Sequence, residues 1–177
     1  MKNLKKIVSV SILFTIILVL SVASMVHAVG VTATIQVSTG GWIAYDSGMG
    51  EIFGSDYATN SSLPNSISVI SDKTNSLVGT VIVGSFPAAL AYDSGKGEIF
   101  VVNAGSDSVS VISDSNNSVD ATIAFPYYPY GSGPDALAYD SGMGEIFAIT
   151  PDNTVSVISD TNNTVIATVP AGDSPWV

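Results

Sequence analysis

The ten residues AYDSGMGEIF stand at Ala44–Phe53 and again at Ala138–Phe147, with a copy differing at one position, AYDSGKGEIF, at Ala91–Phe100 between them. Such self-similarity marks a unit too small to close its own core, which therefore stacks on its neighbours. Tyr45, Tyr92 and Tyr139 are 47 residues apart. A second landmark, SISVIS at Ser66–Ser71, SVSVIS at Ser108–Ser113 and TVSVIS at Thr154–Ser159, steps by 42 and then 46. Two insertions explain the mismatch, one around DYATNSSLPNS in the first unit and one at FPYYPYGSG in the second. The underlying unit is about 42 residues.

Within each unit the periodicity is that of strands. ALAYD (Ala89–Asp93) and EIFVVN (Glu98–Asn103) flank a Gly-rich turn. SVSVIS alternates hydroxyl and aliphatic residues with period two, SDSNNS is a turn cluster, and VDATIAF supplies a fourth strand. No stretch after residue 30 carries helical periodicity. The expectation is an all-β chain of four-stranded antiparallel blades, a β-propeller, with blades at about 42–83, 88–125 and 135–169 and an additional strand at 31–37. Three blades make an incomplete ring, since closure takes at least about four.

The chain resembles the YVTN-repeat propellers, common among secreted and cell-surface (surface-layer-like) proteins of archaea and bacteria. The naming tetrad is closest at FVVN, Phe100–Asn103; FGSD at Phe53–Asp56 and FAIT at Phe147–Thr150 depart from it. The strand and turn SVSVIS-D-x-x-N at Ser108–Asn117, and the GxxP lead-in at Gly84–Pro87 and Gly172–Pro175, are similar to the family's. The resemblance covers residues 31–177 and implies a fold far more than an activity, because propellers host many unrelated functions.

The first 28 residues read separately. Lys2, Lys5 and Lys6 precede an uncharged run from Ile7 to Val26, and Val26–Ala28 is VHA, a secretory signal helix with cleavage expected after Ala28. The alternative is an uncleaved membrane anchor, the run being about 20 residues long. Either reading exports residues 29–177 to the cell surface or beyond. Past Ala28 the cations are Lys73 and Lys96, against all 15 Asp and Glu of the chain. So acidic a chain cannot neutralise phosphates, which excludes nucleic acid as a partner. It has no Cys and no Arg, and its single histidine, His27, lies within the signal. A histidine-based triad, a histidine–zinc site and a disulfide framework are therefore all excluded from the exported part.

The segment shared by the three copies is Asp-Ser-Gly-x-Gly-Glu, at Asp46–Glu51, Asp93–Glu98 and Asp140–Glu145. Two carboxylates and several carbonyls within six residues suit calcium, which makes Asp46, Glu51, Asp93, Glu98, Asp140 and Glu145 the candidate ligands. A hairpin needs the same residues, with glycines for positive φ and Asp to cap the turn. The hairpin is the expectation, because calcium loops present more side-chain oxygens at alternate positions; no cofactor is expected. Asp72, Asp114 and Asp160 open a second set of turns. N-glycan acceptor triplets stand at Asn60, Asn116 and Asn162.

Antiparallel order places both kinds of repeated turn at one end of the blades and both insertions at the other. The insertion end also receives Trp42 and Trp176, at the starts of first strands. FPYYPYGSGP sets Tyr127, Tyr128 and Tyr130 among prolines and glycines, a loop whose tyrosines, with Trp42, are candidates for contact with a protein or a carbohydrate; the alternative is a loop folded over its own blade or plugging the channel. The expected function is a binding or scaffold module. The alternative is a hydrolase- or lactonase-like propeller using acidic residues or calcium, although almost every acid sits in a repeated turn. ATVPAGDSPWV (Ala167–Val177) aligns with ATIQVSTGGWI (Ala33–Ile43), so the chain stops where a further first strand begins. Two readings follow: the N-terminal part of a longer propeller, which the break within a strand favours, or two chains joined in a six-bladed ring. Open ends expose apolar faces and invite self-association.

Overall fold

The computed structural model describes residues 31, 33–35, 41–56, 65–128 and 133–172. The expected signal segment 1–28, Asn60, Tyr130 and Trp176 lie outside them, as does most of the first insertion. The chain divides into two units, Met1–Thr34 and Ile35–Val177, and every strand described belongs to the second. Of the strand expected at 31–37, the described residues Val31 and 33–35 form no strand.

Among the described residues twelve strands make three four-stranded antiparallel sheets, each built from four consecutive strands in sequence order. Sheet I holds β1 (Ile43–Asp46), β2 (Glu51–Asp56), β3 (Ser66–Ser71) and β4 (Ser76–Ile82). Sheet II holds β5 (Pro87–Asp93), β6 (Glu98–Asn103), β7 (Ser108–Ser113) and β8 (Ser118–Ala124). Sheet III holds β9 (Ala136–Asp140), β10 (Glu145–Thr150), β11 (Thr154–Ser159) and β12 (Thr164–Pro170). No helix occurs among the described residues. The meander follows from the sequence: each pair of neighbouring strands is short, and Gly, Asp, Asn or Ser lies between them.

Alternation along each strand sends successive side chains to opposite neighbours. In β6, Ile99 and Val101 join Phe53, Ile67, Val69 and Val81 of sheet I in one apolar cluster. Phe100 and Val102, one residue out of phase, join Ile146, Ala148 and Ile158 of sheet III in a second. Sheet II is thus covered on both faces, and its β6 side chains from Ile99 to Val102 are fully buried. Each such side chain contributes roughly 1.5–3 kcal/mol by leaving water.

The last two strands of every sheet contain a register shift, at Val69/Ile70, Val111/Ile112 and Val157/Ile158. The extra residue falls on the outer strand, at Val78, Asp120 and Ile166, and points to solvent. A bulge at a sheet edge raises the local twist and blunts the edge against further pairing.

Candidate functional site

The repeated loop uses its aspartate on itself. Asp46 Oδ1 accepts hydrogen bonds from the amides of Gly48 (2.6 Å) and Met49 (3.1 Å). Asp93 Oδ1 accepts from Gly95 (2.7 Å) and Lys96 (3.2 Å), and Asp140 Oδ1 from Gly142 (2.8 Å). Gly50, Gly97 and Gly144 take φ of 69°, 68° and 67°, the left-handed region that glycine enters without cost. Their carbonyls accept the amides of Asp72, Asp114 and Asp160 at 3.0, 2.9 and 3.0 Å, tying each loop to the second turn of its own sheet. This is hairpin geometry. Asp46 faces Glu51, Asp93 faces Glu98 and Asp140 faces Glu145 across the strand pairs, so the six calcium candidates are divided among three loops. Among the described residues no group of three or more His, Cys, Asp and Glu is placed to hold a metal ion.

The loop also belongs to the seam between sheets, which its sequence did not reveal. The Tyr92 hydroxyl lies over Gly48 of sheet I, where a Cβ at position 48 would come within 2.8 Å of it. Tyr139 of sheet III lies over Gly95 of sheet II in the same way, at 2.9 Å. Burial, followed by hydrogen bonding to Asp46, pushes the Tyr92 pKa up to about 12. For Tyr139 the hydrogen bond to Asp93 comes first, then burial, and its pKa is also pushed up to about 12. Asp46 and Asp93, the carboxylates beside these hydroxyls, are fully buried.

A second bond crosses each seam. Asn117 Nδ2 of sheet II donates to Glu51 Oε2 of sheet I (3.2 Å), and Asn163 Nδ2 of sheet III to Glu98 Oε1 of sheet II (3.4 Å). Burial holds the Glu98 carboxyl above its ordinary range, against the opposing pull of Asn163 and Lys96. Asn117 and Asn163 stand at φ of 53° and 54°, and Asn75 of sheet I at 50°. The left-handed conformation, which Asn tolerates better than most residues, ends the turn and aims the amide at the preceding sheet. The one variable position of the decapeptide adds to the second seam, where Lys96 pairs with Asp160 of sheet III (4.0 Å to Oδ1). Such a long, partly exposed pair is worth about 0–1 kcal/mol. Each decapeptide therefore carries a plug, its tyrosine, and a socket, its Asp, first Gly and Glu.

The opposite end of the sheets carries exposed aromatic rings. Trp42 immediately precedes β1 and is 51% exposed; Phe86 immediately precedes β5, at φ 56° and 55% exposed. Tyr127, in the segment leading to β9, is 79% exposed. Its neighbours are not. Phe125 is buried, and Tyr128 is half-buried against the cluster between sheets II and III. Burial raises the Tyr128 pKa while its hydroxyl meets Thr150. Of the three tyrosines of the loop, Tyr128 packs on its own fold, Tyr127 points away from it, and Tyr130 lies outside the described residues. Nothing in the sequence GSFP signals that the chain turns the Phe86 ring outward.

The acceptor residues Asn116 and Asn162 are exposed at the tips of the second turns of sheets II and III. Asn116 Oδ1 accepts from the Ser118 hydroxyl (2.8 Å), and Asn162 Oδ1 from the Thr164 hydroxyl (2.7 Å). Each lies one residue before the asparagine of a seam, and so beside the sheet interface.

No family model and no curated protein matches this chain. Solved structures do. It is similar to the hydrazine synthase of Kuenenia stuttgartiensis (TM-score 0.63, 19% identity), over 80% of this chain and 38% of that one. It is similar also to a functionally unknown protein from Desulfotomaculum acetoxidans (TM-score 0.62, 12% identity), over 77% of this chain and 44% of that one. This chain thus spans less than half the length of either. At such identities the likeness concerns the fold alone.

Proposed function

We propose that the three sheets are blades of a β-propeller of the YVTN type, exported to the cell surface or beyond, and that the end bearing Trp42, Phe86 and Tyr127 is a contact surface for a protein or a carbohydrate. The blade reading is supported by three successive four-stranded meanders that stack face to face. The contact reading rests on one observation, the 79% exposed Tyr127 ring held between a buried Phe125 and a half-buried Tyr128. Pro126 and the two anchors limit the conformations that binding would have to freeze out, so a large amphipathic ring is offered at low entropic cost. Trp42 and Phe86 widen the same end. At the other end, the sockets of the first two repeated loops are filled by tyrosines of the following sheets.

The test is retention of the full chain on a glycan array and on isolated cell envelopes. Tyr127→Ser combined with Trp42→Ser should lose retention while keeping β-type circular dichroism. Tyr128→Ser should instead lower the unfolding midpoint. Equal retention by the folded double variant would sink the proposal.

A further inference from the structure

The seams between sheets I and II and between sheets II and III repeat the same bonds, and one plug and one socket are left over. Asp46 and Asp93 are fully buried under the tyrosines of the following sheets, whereas Asp140 is exposed. Chain neighbours aside, the one atom of the described residues within 4 Å of a Cβ placed on Gly142 is Asp140 Oδ1, at 3.2 Å, and no described tyrosine covers it. At the other end of the series Tyr45 is 55% exposed, and Asn75 and Asp72 are exposed where their counterparts Asn117, Asn163, Asp114 and Asp160 are half-buried. Tyr45 already has the posture of a plug, its hydroxyl donating to Asp72 Oδ2 at 3.0 Å.

The apolar parts match as well. Sheet I offers its neighbour Phe53, Ile67, Val69 and Val81, all buried. The same positions in sheet III are Phe147 and Val155, half-buried, Val157, and Val169, 50% exposed. On the receiving side, Leu90, Tyr92 and Val119 of sheet II pack on sheet I. Their equivalents in sheet I are Ile43 at 76% exposure, Tyr45 and Leu77, all exposed.

We propose that a second copy of this chain docks its sheet I on sheet III of the first. The contacts would be those of the internal seams: Tyr45 over Gly142 and against Asp140, Asn75 donating to Glu145, and Ile43 and Leu77 on Phe147 and Val169. The occupant is argued from the chain's own chemistry, since two seams of identical design already hold within it. The contact is heterologous, so two three-sheet arcs either close on each other or add head to tail. This inference does not depend on the aromatic end, which lies at the other turns.

The chain has no cysteine, which makes the test specific. Full-length Asn75→Cys and Glu145→Cys chains, neither altered at an internal seam, are treated with a short bis-maleimide separately and mixed. A cross-linked pair in the mixture, and none in either variant alone, is the expected result. Adding Ile43→Asp to the Asn75→Cys chain should abolish the product, because a carboxylate would then be buried against Phe147. No product in the mixture, or equal product in the single variants, would overturn the proposal, the latter pointing to association through another surface. Circular dichroism of each variant establishes that the sheets are intact.

Discussion

Tyr139 shows what a single hydroxyl does in this fold. It reaches from sheet III to Asp93 of sheet II, and its pKa rises from about 10 to about 12. A raised folded-state pKa means that the folded chain holds the proton more tightly. The stabilisation is therefore complete below about pH 10 and is lost as pH rises through about 12. Urea midpoints measured between pH about 9 and about 12 should fall steeply for the natural chain and less steeply for Tyr139→Phe. Identical profiles would remove the tyrosine from the seam. Gly95 permits this contact, since a methyl group there would meet the hydroxyl.

At the scale of the element, the turn from β7 to β8 shows how one conformation serves two ends. Asn117 at φ 53° closes the turn by donating its amide to the Ser113 carbonyl (3.0 Å), and its side chain bonds Glu51. Asn117→Gly keeps the turn and loses the seam bond, at a cost of about 0.5–1.5 kcal/mol. Asn117→Ala loses the bond and must also hold a left-handed alanine, about 1–2 kcal/mol more. Chemical denaturation of both should rank Ala below Gly; the reverse order would mean that the left-handed backbone at position 117 does not set the turn. The bulges of the outer strands belong to this scale too. Val78 and Ile166 look like core residues in sequence, yet the register shift turns them outward.

For the whole molecule, stability runs through neighbours. Sheet II is covered on both faces, while sheets I and III each share a single cluster with it. In such a stack local opening begins where one face is bare. Hydrogen exchange followed by mass spectrometry should find the slowest amides in β6 and β7 and the fastest strand amides in β1, β9 and β12. Uniform protection would contradict a nearest-neighbour stack. Phe100→Ala should cost about 3–5 kcal/mol, and Phe147→Ala clearly less, because the second ring is only half-buried. The gap between the two should narrow under conditions where the chain self-associates.

The all-β class, the four-strand unit and the hairpin character of Asp-Ser-Gly-x-Gly-Glu were all legible in the sequence. They depend on local chemistry: period-two alternation, glycine at positive φ, and an aspartate that bonds its own turn. The three sheets run from Ile43 to Ile82, from Pro87 to Ala124 and from Ala136 to Pro170. The second role of the decapeptide was not legible. Tyr92 meets Asp46 and Asn117 meets Glu51 across dozens of residues, and the spacing of letters does not encode which sheet face lies against which. The same holds for the tyrosine loop, where Tyr127 and Tyr128 are adjacent in sequence. Only the packing of sheet II on sheet III turns one ring inward and leaves the other in water, because a side chain's fate there depends on apolar surface supplied by another part of the chain.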